Sequence, residues 1–178
     1  GVGRAGTMFA IDQWGVIPDI IALAKGLASG MPLGATIARS DLMNWEPGTH
    51  ASTFGGNPVA CAAALATLQL IRDRYLPNVN TMGTRLTAGL TALKDRFQCI
   101  GDIRGRGLMI GVEIIRDRSS QHPDAQLVER ILLRSFEQGL LLLSCGTSTV
   151  RFMPALIVNE GEIDEALRIF EQVLAECQ

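Results

Sequence analysis

Lys25 is the residue whose type and setting most strongly indicate covalent chemistry. The chain carries only two lysines against fourteen arginines, and Lys25 directly follows the apolar run Ile20–Ala24. An arginine keeps its proton at any working pH, whereas a lysine amine becomes a nucleophile once burial lowers its pKa. The sequence therefore predicts an amine nucleophile at the mouth of a buried strand. A charge that only marks the end of that strand is the alternative interpretation.

A second candidate is the hydroxyl- and glycine-rich segment Ser52–Pro58. Asn57 as N-cap and Pro58 at the first helical position predict that a helix begins here. The unpaired amides and the positive dipole end of a helix N-terminus can bind a phosphate. Phosphate binding and an ordinary capped helix after a glycine loop are both open at this point.

The third candidate is Arg151, which stands inside the short apolar segment Val150–Met153. A buried guanidinium needs a carboxylate, because an unpaired buried charge is strongly destabilising. Its partner is either an Asp or Glu of the chain itself or the carboxylate of a bound small molecule. The residues alone leave both alternatives open.

Two glycine-rich segments are predicted to be turns. Gly1–Gly6 fits the pattern G-x-G-x-x-G, but the nucleotide-binding fingerprint needs a strand before it and a long helix after it. The segment Trp14–Pro18 follows instead, so we expect a flexible turn. Arg104 and Arg106 lie between glycines, which predicts a structural turn leading into a strand.

Apolar periodicity predicts the elements that must position these candidates. The continuous apolar run before Lys25 predicts a strand buried on both faces, as in a parallel sheet, and 33–38 is predicted to be a second strand of that layer. Apolar spacings of three or four predict helices. Asn159 and Glu162 form a capping box that begins the last helix.

The predicted strands cover 20–24, 33–38, 108–115, 140–143 and 150–153. The predicted helices cover 57–74, 79–97, 124–138 and the segment from 159 onward, with a break at 75–78. The buried stripe of the third helix is predicted to be Leu127, Val128, Ile131, Leu132 and Phe136.

Composition narrows the classes of partner. A net charge of −2 without a basic stripe argues against nucleic acid, and no run reaches the roughly 20 apolar residues of a membrane span. Four scattered cysteines and two histidines predict no metal site. Scattered thiols suit a reducing compartment, so we expect a cytoplasmic protein. The hydrophobic content of 47% indicates a large core or a subunit interface.

Taken in order, these motifs resemble those of the class III, or omega-amino acid, aminotransferases, which use pyridoxal 5'-phosphate. The resemblance extends over essentially the whole chain. It includes Ala-Lys-Gly around Lys25 and His-x-Ser-Thr-Phe-Gly-Gly-Asn-Pro over His50–Pro58. The other matching segments are Gly1–Gly6, Trp14–Ile20, Pro32–Ala35, Arg104–Met109 and Leu142–Pro154.

The resemblance implies an α/β transferase of fold type I. Residues 1–75 would be the C-terminal part of the large cofactor-binding domain, and residues 76–178 the small α+β C-terminal domain. Lys25 would form the Schiff base with the cofactor and move the proton, Thr53 would bind the cofactor phosphate of the neighbouring subunit, and Arg151 would bind the substrate carboxylate. The role of Thr53 implies a homodimer with shared active sites.

The implied reaction moves an amino group from 4-aminobutyrate, or a similar omega-amino acid, to 2-oxoglutarate. N-acetylornithine and ornithine are alternative donors, and an isomerase or racemase on the same scaffold is another alternative. In the family, the Asp that pairs with the ring nitrogen, the phosphate turn and the aromatic ring stacker precede the residue matching Gly1. We therefore expect this chain to be the second half of such an enzyme and to be inactive by itself, or at most an interaction module.

Overall fold

The computed structural model describes residues 1–177, which form two compact units: Gly1–Leu76, and the stretch from Pro77 onward. The first unit contains β1 (Ile20–Leu23), β2 (Ala35–Ala38) and α1 (Pro58–Leu70). The second contains α2 (Leu76–Arg96), β3 (Ile100–Arg106), β4 (Met109–Ile114), α3 (Ala125–Glu137), β5 (Leu143–Cys145), β6 (Thr149–Phe152) and α4 (Glu160–Cys177). None of the helices described in residues 1–177 is long and apolar enough to cross a membrane.

The prediction of a parallel sheet buried on both faces is wrong for the two strands of the first unit. β1 and β2 pair antiparallel, and Ile20 and Ile37 are 59% and 51% exposed. A parallel pair needs a long crossover connection, usually a helix. Here the connection contains only the short 3-10 helix Lys25–Ala28, so the second strand returns beside the first in the opposite direction.

The predicted helix break at 75–78 is also wrong. The chain stays helical through a π-helical turn over Ile71–Tyr75, and α2 follows directly. Pro77 has no amide hydrogen to donate to the preceding turn. The wider π turn, in which the N–H of Leu76 donates to the carbonyl of Ile71, brings Pro77 into the first turn of α2, where that loss is tolerated.

The second unit is built on an antiparallel sheet with strand order β3-β4-β6-β5. Residues alternate between its two faces, and the pairs Val112–Val150 and Ile110–Phe152 lie on the buried face. Phe152 meets Phe170 of α4 edge-on, with ring centroids 5.0 Å apart. That face and the apolar stripes of α2, α3 and α4 form one continuous core.

The segment predicted as a glycine-rich turn is itself strand β3. Gly105 lies so close to β4 that a Cβ there would be 2.1 Å from the carbonyl oxygen of Met109. Gly107 has φ +52° and makes the turn into β4. A Cβ on Gly83 of α2 would lie 2.4 Å from the carbonyl oxygen of Gly107, so the absence of a side chain at Gly83 lets α2 approach this turn.

Two smaller predictions in the second unit are wrong. The strand expected over 140–143 begins at Leu143, where pairing with β6 starts. Phe136 of α3 is 65% exposed, and Ser135 takes the buried position instead. Ile131 is three residues after Val128, and Ser135 is four residues after Ile131. Ser135 therefore continues the buried stripe of a regular helix.

Candidate active site

Lys25 lies in a tight turn with an unusual backbone. It begins the 3-10 helix Lys25–Ala28, and Ala24 separates it from the end of β1. Lys25 has φ +54°, and Ser29 on the other side of the turn has φ +47°. The left-handed region is uncommon for residues other than glycine and carries strain, and such strain concentrates at functional sites.

Contacts with α1 hold this turn in place. Leu27 and Ala28 are buried and pack against Ala64. The hydroxyl of Thr67 donates to the carbonyl of Ala63 at 2.7 Å and lies 3.0 Å from Oγ of Ser29. These contacts fix the residues after Lys25 to α1.

The Lys25 side chain is exposed, which differs from the prediction of an amine at the mouth of a buried strand. The difference follows from β1, whose residues alternate between exposed and half-buried positions. Within residues 1–177 the Lys25 amine makes no hydrogen bond or ion pair.

The loop before α1 leaves one hydroxyl unengaged. Asn57 caps the helix, since its Oδ1 accepts the N–H of Ala60 at 2.9 Å. Oγ of Ser52 accepts the N–H of Gly55 at 3.0 Å. Thr53 is exposed, and within residues 1–177 its hydroxyl has no hydrogen-bond partner. The structure thus brings both Thr53 and the Lys25 turn to α1, the first before its N-terminus and the second against its middle.

Arg151 lies on β6 in the second unit, opposite Gly111 of β4 and Leu143 of β5. It is half-buried and helps to line a cavity of about 310 Å³ whose other walls are mostly apolar. Glu162 also lines this cavity, but its carboxylate accepts the N–H of Asn159 at 2.9 Å and caps α4. Within residues 1–177, Arg151 has no carboxylate partner. The alternative of an internal ion pair therefore has no support in the described residues.

A charged cluster that the sequence pattern does not predict lies on the same face of the sheet as Arg151. Arg104 donates to the carboxylate of Asp102 at 2.9 Å and also to that of Glu113. All three residues lie on the sheet face opposite the core, which we call the open face. Cross-strand alternation is the signal that could have found them, but β3 was interpreted as a turn.

The N-terminal glycine segment forms a turn, as expected. The N–H of Gly3 donates to the carbonyl of Met8 at 3.0 Å, and the N–H of Gly6 to that of Gly3 at 3.1 Å. The element that follows is the 3-10 helix Ala10–Trp14, not the long helix of a nucleotide-binding fingerprint. In residues 1–177 there is no group of three or more His, Cys, Asp or Glu side chains suited to a metal ion.

Comparison with known proteins identifies the family. The family model for class-III aminotransferases matches residues 1–174. The chain belongs to the class-III aminotransferases. Members of this family are transferases that depend on pyridoxal 5'-phosphate, so the resemblance, the fold type and the cofactor expected from the motifs are confirmed.

Curated relatives include acetylornithine aminotransferase of Caldanaerobacter subterraneus, 44% identical over 179 residues, which covers 100% of this chain and 43% of that protein. The 4-aminobutyrate aminotransferase GabT of Escherichia coli is 38% identical over 182 residues, again with 100% of this chain and 43% of the relative covered. The chain thus spans less than half the length of these relatives.

Solved structures agree with this assignment. A transaminase from the marine bacterium Virgibacillus superposes with a TM-score of 0.93 at 29% identity, covering 99% of this chain and 43% of that one. Acetylornithine aminotransferase from Elizabethkingia anophelis superposes with a TM-score of 0.87 at 31% identity, covering 99% of this chain and 45% of that one.

Proposed function

We propose that this chain is the lysine-bearing part of a pyridoxal-phosphate-dependent aminotransferase, with Lys25 as its catalytic residue. The observation that carries the proposal is the left-handed turn at Lys25, anchored by α1, within the Ala-Lys-Gly motif of a chain that belongs to this family. The first unit would be the C-terminal part of the cofactor-binding domain, and the second the small C-terminal domain. The free cysteines are in keeping with a reducing compartment such as the cytoplasm.

The residues of the first unit fit the cofactor. Its aldehyde needs an amine, which Lys25 offers, and the phosphate of the neighbouring subunit's cofactor needs a hydroxyl donor, which Thr53 offers. When bound, the cofactor supplies a ring that withdraws electrons from the substrate carbon. Nζ of Lys25 would move the proton from that carbon to the cofactor carbon, acting first as general base and then as general acid.

Thr53 supports the proposal of a homodimer. Its hydroxyl is exposed and unengaged within residues 1–177, so it is available to a phosphate bound by a neighbouring subunit. We propose that two subunits share their active sites in this way. Light scattering of the active enzyme should give the mass of a dimer, and a fully active monomer would exclude this role of Thr53.

We propose that Arg151 binds the carboxylate of the amino donor. Its guanidinium has no carboxylate partner within residues 1–177, so it is available to the carboxylate of a bound molecule. In the full-length enzyme, Arg151→Ala should raise KM about tenfold or more for a donor with a carboxylate, since charge-assisted hydrogen bonds are lost. A plain alkylamine is the matched control, and an equal rise for both donors would remove this role.

Two amino donors remain candidates, with 2-oxoglutarate as acceptor. The unengaged Arg151 is compatible with 4-aminobutyrate or a similar omega-amino acid. The second candidate is N-acetylornithine, which is supported by the 44% identity of this chain to acetylornithine aminotransferases. Comparison of kcat/KM for the two donors, with and without 2-oxoglutarate, would decide between them and would also detect an isomerase or racemase.

The two lysines of the chain allow a matched test of the catalytic assignment. Borohydride reduction of the cofactor-loaded full-length enzyme should fix the cofactor to Lys25, and peptide mapping should find no label at Lys94. Lys25→Ala should remove both the label and transamination, a loss of at least about 10⁴-fold in rate, because one residue supplies the nucleophile and the proton carrier. Lys94→Ala should retain both. Normal turnover by Lys25→Ala would refute the assignment.

A further inference from the structure

The open face of the second unit places Arg151 within reach of a carboxylate that it does not bind. Arg151 stands directly opposite Gly111 of β4, and Glu113 is two residues further along the same strand. Residues related in this diagonal way lie about 7–8 Å apart, a distance that long side chains span. Glu113 is thus the acidic side chain of β4 best placed to pair with Arg151.

Arg104 already binds that carboxylate. It stands on the other side of Gly111, on β3, and donates to Glu113 and to Asp102, the latter at 2.9 Å. Asp102 is directly opposite Glu113, so one guanidinium is shared by two carboxylates. Arg104 lowers the pKa of Asp102 through its hydrogen bond, which keeps that carboxylate ionised.

Thr149 adds a steric contribution to the same arrangement. It is directly opposite Glu113, and a Cβ on Gly111 would lie 2.9 Å from its methyl carbon. The methyl group therefore lies over Gly111, the residue directly opposite Arg151. A side chain at position 111 would displace it, so Gly111 leaves room for this methyl group beside Arg151.

We infer that Arg104 is a positioning residue: by holding Glu113, it leaves Arg151 free for the carboxylate of a bound molecule. The inference rests on the proposed role of Arg151. Without Arg104, the arginine of β3 or β6 closest in register to Glu113 is Arg151, because Arg106 stands opposite Met109, four residues away along β4. An internal Glu113–Arg151 pair would then compete with the substrate carboxylate.

Pentanoate, which has a carboxylate and no amine, tests this inference without turnover. Its binding to the 178-residue chain is measured by NMR from the shifts of the β5 and β6 amides. Arg104→Met should raise the Kd for pentanoate roughly two- to fivefold, the range that an exposed ion pair accounts for. Arg104→Met with Glu113→Gln should restore the Kd of the unmodified chain, and Glu113→Gln alone should not raise it.

The outcomes separate the inference from the proposed function. If Arg151→Met leaves the pentanoate shifts unchanged, or the unmodified chain shows no saturable shift, the carboxylate role of Arg151 falls and the inference with it. If Arg151→Met abolishes binding but Arg104→Met has no effect, only the inference is overturned. A double variant that stays as weak as Arg104→Met also overturns it, because a purely structural loss is not rescued by removing the charge of Glu113.

Discussion

The two units differ most in how completely each buries its own apolar side chains. In the first, the described core cluster consists of Leu27, Ala28 and Ala64, while Ile17 is 94% and Leu65 70% exposed. In the second, the inner face of a four-stranded sheet and three amphipathic helices form one continuous core. Burial of apolar surface is the main source of stability, so the second unit has by far the larger share.

The Lys25 site proposed for the chemistry therefore lies in the first unit, whereas most of the stability of this chain comes from the second. The strained turn at Lys25 is held by a few contacts with α1, whereas Arg151 projects from a strand of the well-packed sheet. A strained conformation persists only when its surroundings determine it fully. We therefore expect the Lys25 turn to be far less firmly held in this chain than Arg151.

Hydrogen exchange gives the largest expected contrast. Amides of β4 and β6, such as those of Val112 and Val150, should be protected at least about 1000-fold more than those of β1 and β2, since they open only with the core of the second unit. Exchange followed by NMR on the 178-residue chain would measure both. Equal protection in the two sheets would contradict the comparison and indicate one cooperative structure.

A matched pair of leucines sharpens the same contrast. Leu90 of α2 is fully buried and Leu65 of α1 is 70% exposed, and both lie in helices. Leu90→Ala should lower the free energy of unfolding of the second unit by about 2–5 kcal/mol, because it leaves a cavity in the core. Leu65→Ala should change stability by less than about 0.5 kcal/mol. Urea denaturation measures both, and similar losses would show that α1 is buried in solution.

The sequence predicted best those features that depend on neighbouring residues. Both hydrogen bonds of the capping box at the start of α4 are present. The N–H of Asn159 donates to Oε2 of Glu162 at 2.9 Å, and the N–H of Glu162 donates to Oδ1 of Asn159 at 3.0 Å. The helix predicted over 79–97 is present as α2, and it buries Val79, Leu86 and Leu90, which are seven and four residues apart. Caps and helical stripes are local, so a single sequence suffices to find them.

Features that depend on distant pairing were not predictable in this way. The apolar run of β1 fits a buried parallel strand, but its direction relative to β2 is set by the connection between them. The same holds for the candidate site. The sequence offered Arg151 as a cation in need of a carboxylate, whereas the choice of Glu113 for Arg104 follows from the register of β3, β4 and β6.

Substitution of Ser135 has the smallest expected effect on stability, and it should stabilise the second unit. Its hydroxyl is buried in the core of the second unit and has no hydrogen-bond partner within residues 1–177. Ser135→Ala should raise the free energy of unfolding of that unit by about 1 kcal/mol, because an unsatisfied buried hydroxyl is removed and alanine favours the helix. Ser52→Ala in the first unit is the control. It removes the exposed hydrogen bond from the N–H of Gly55 and should leave the unfolding of the second unit unchanged. If Ser135→Ala is destabilising, the hydroxyl has a partner in solution and the core of the second unit is less dry than its packing indicates.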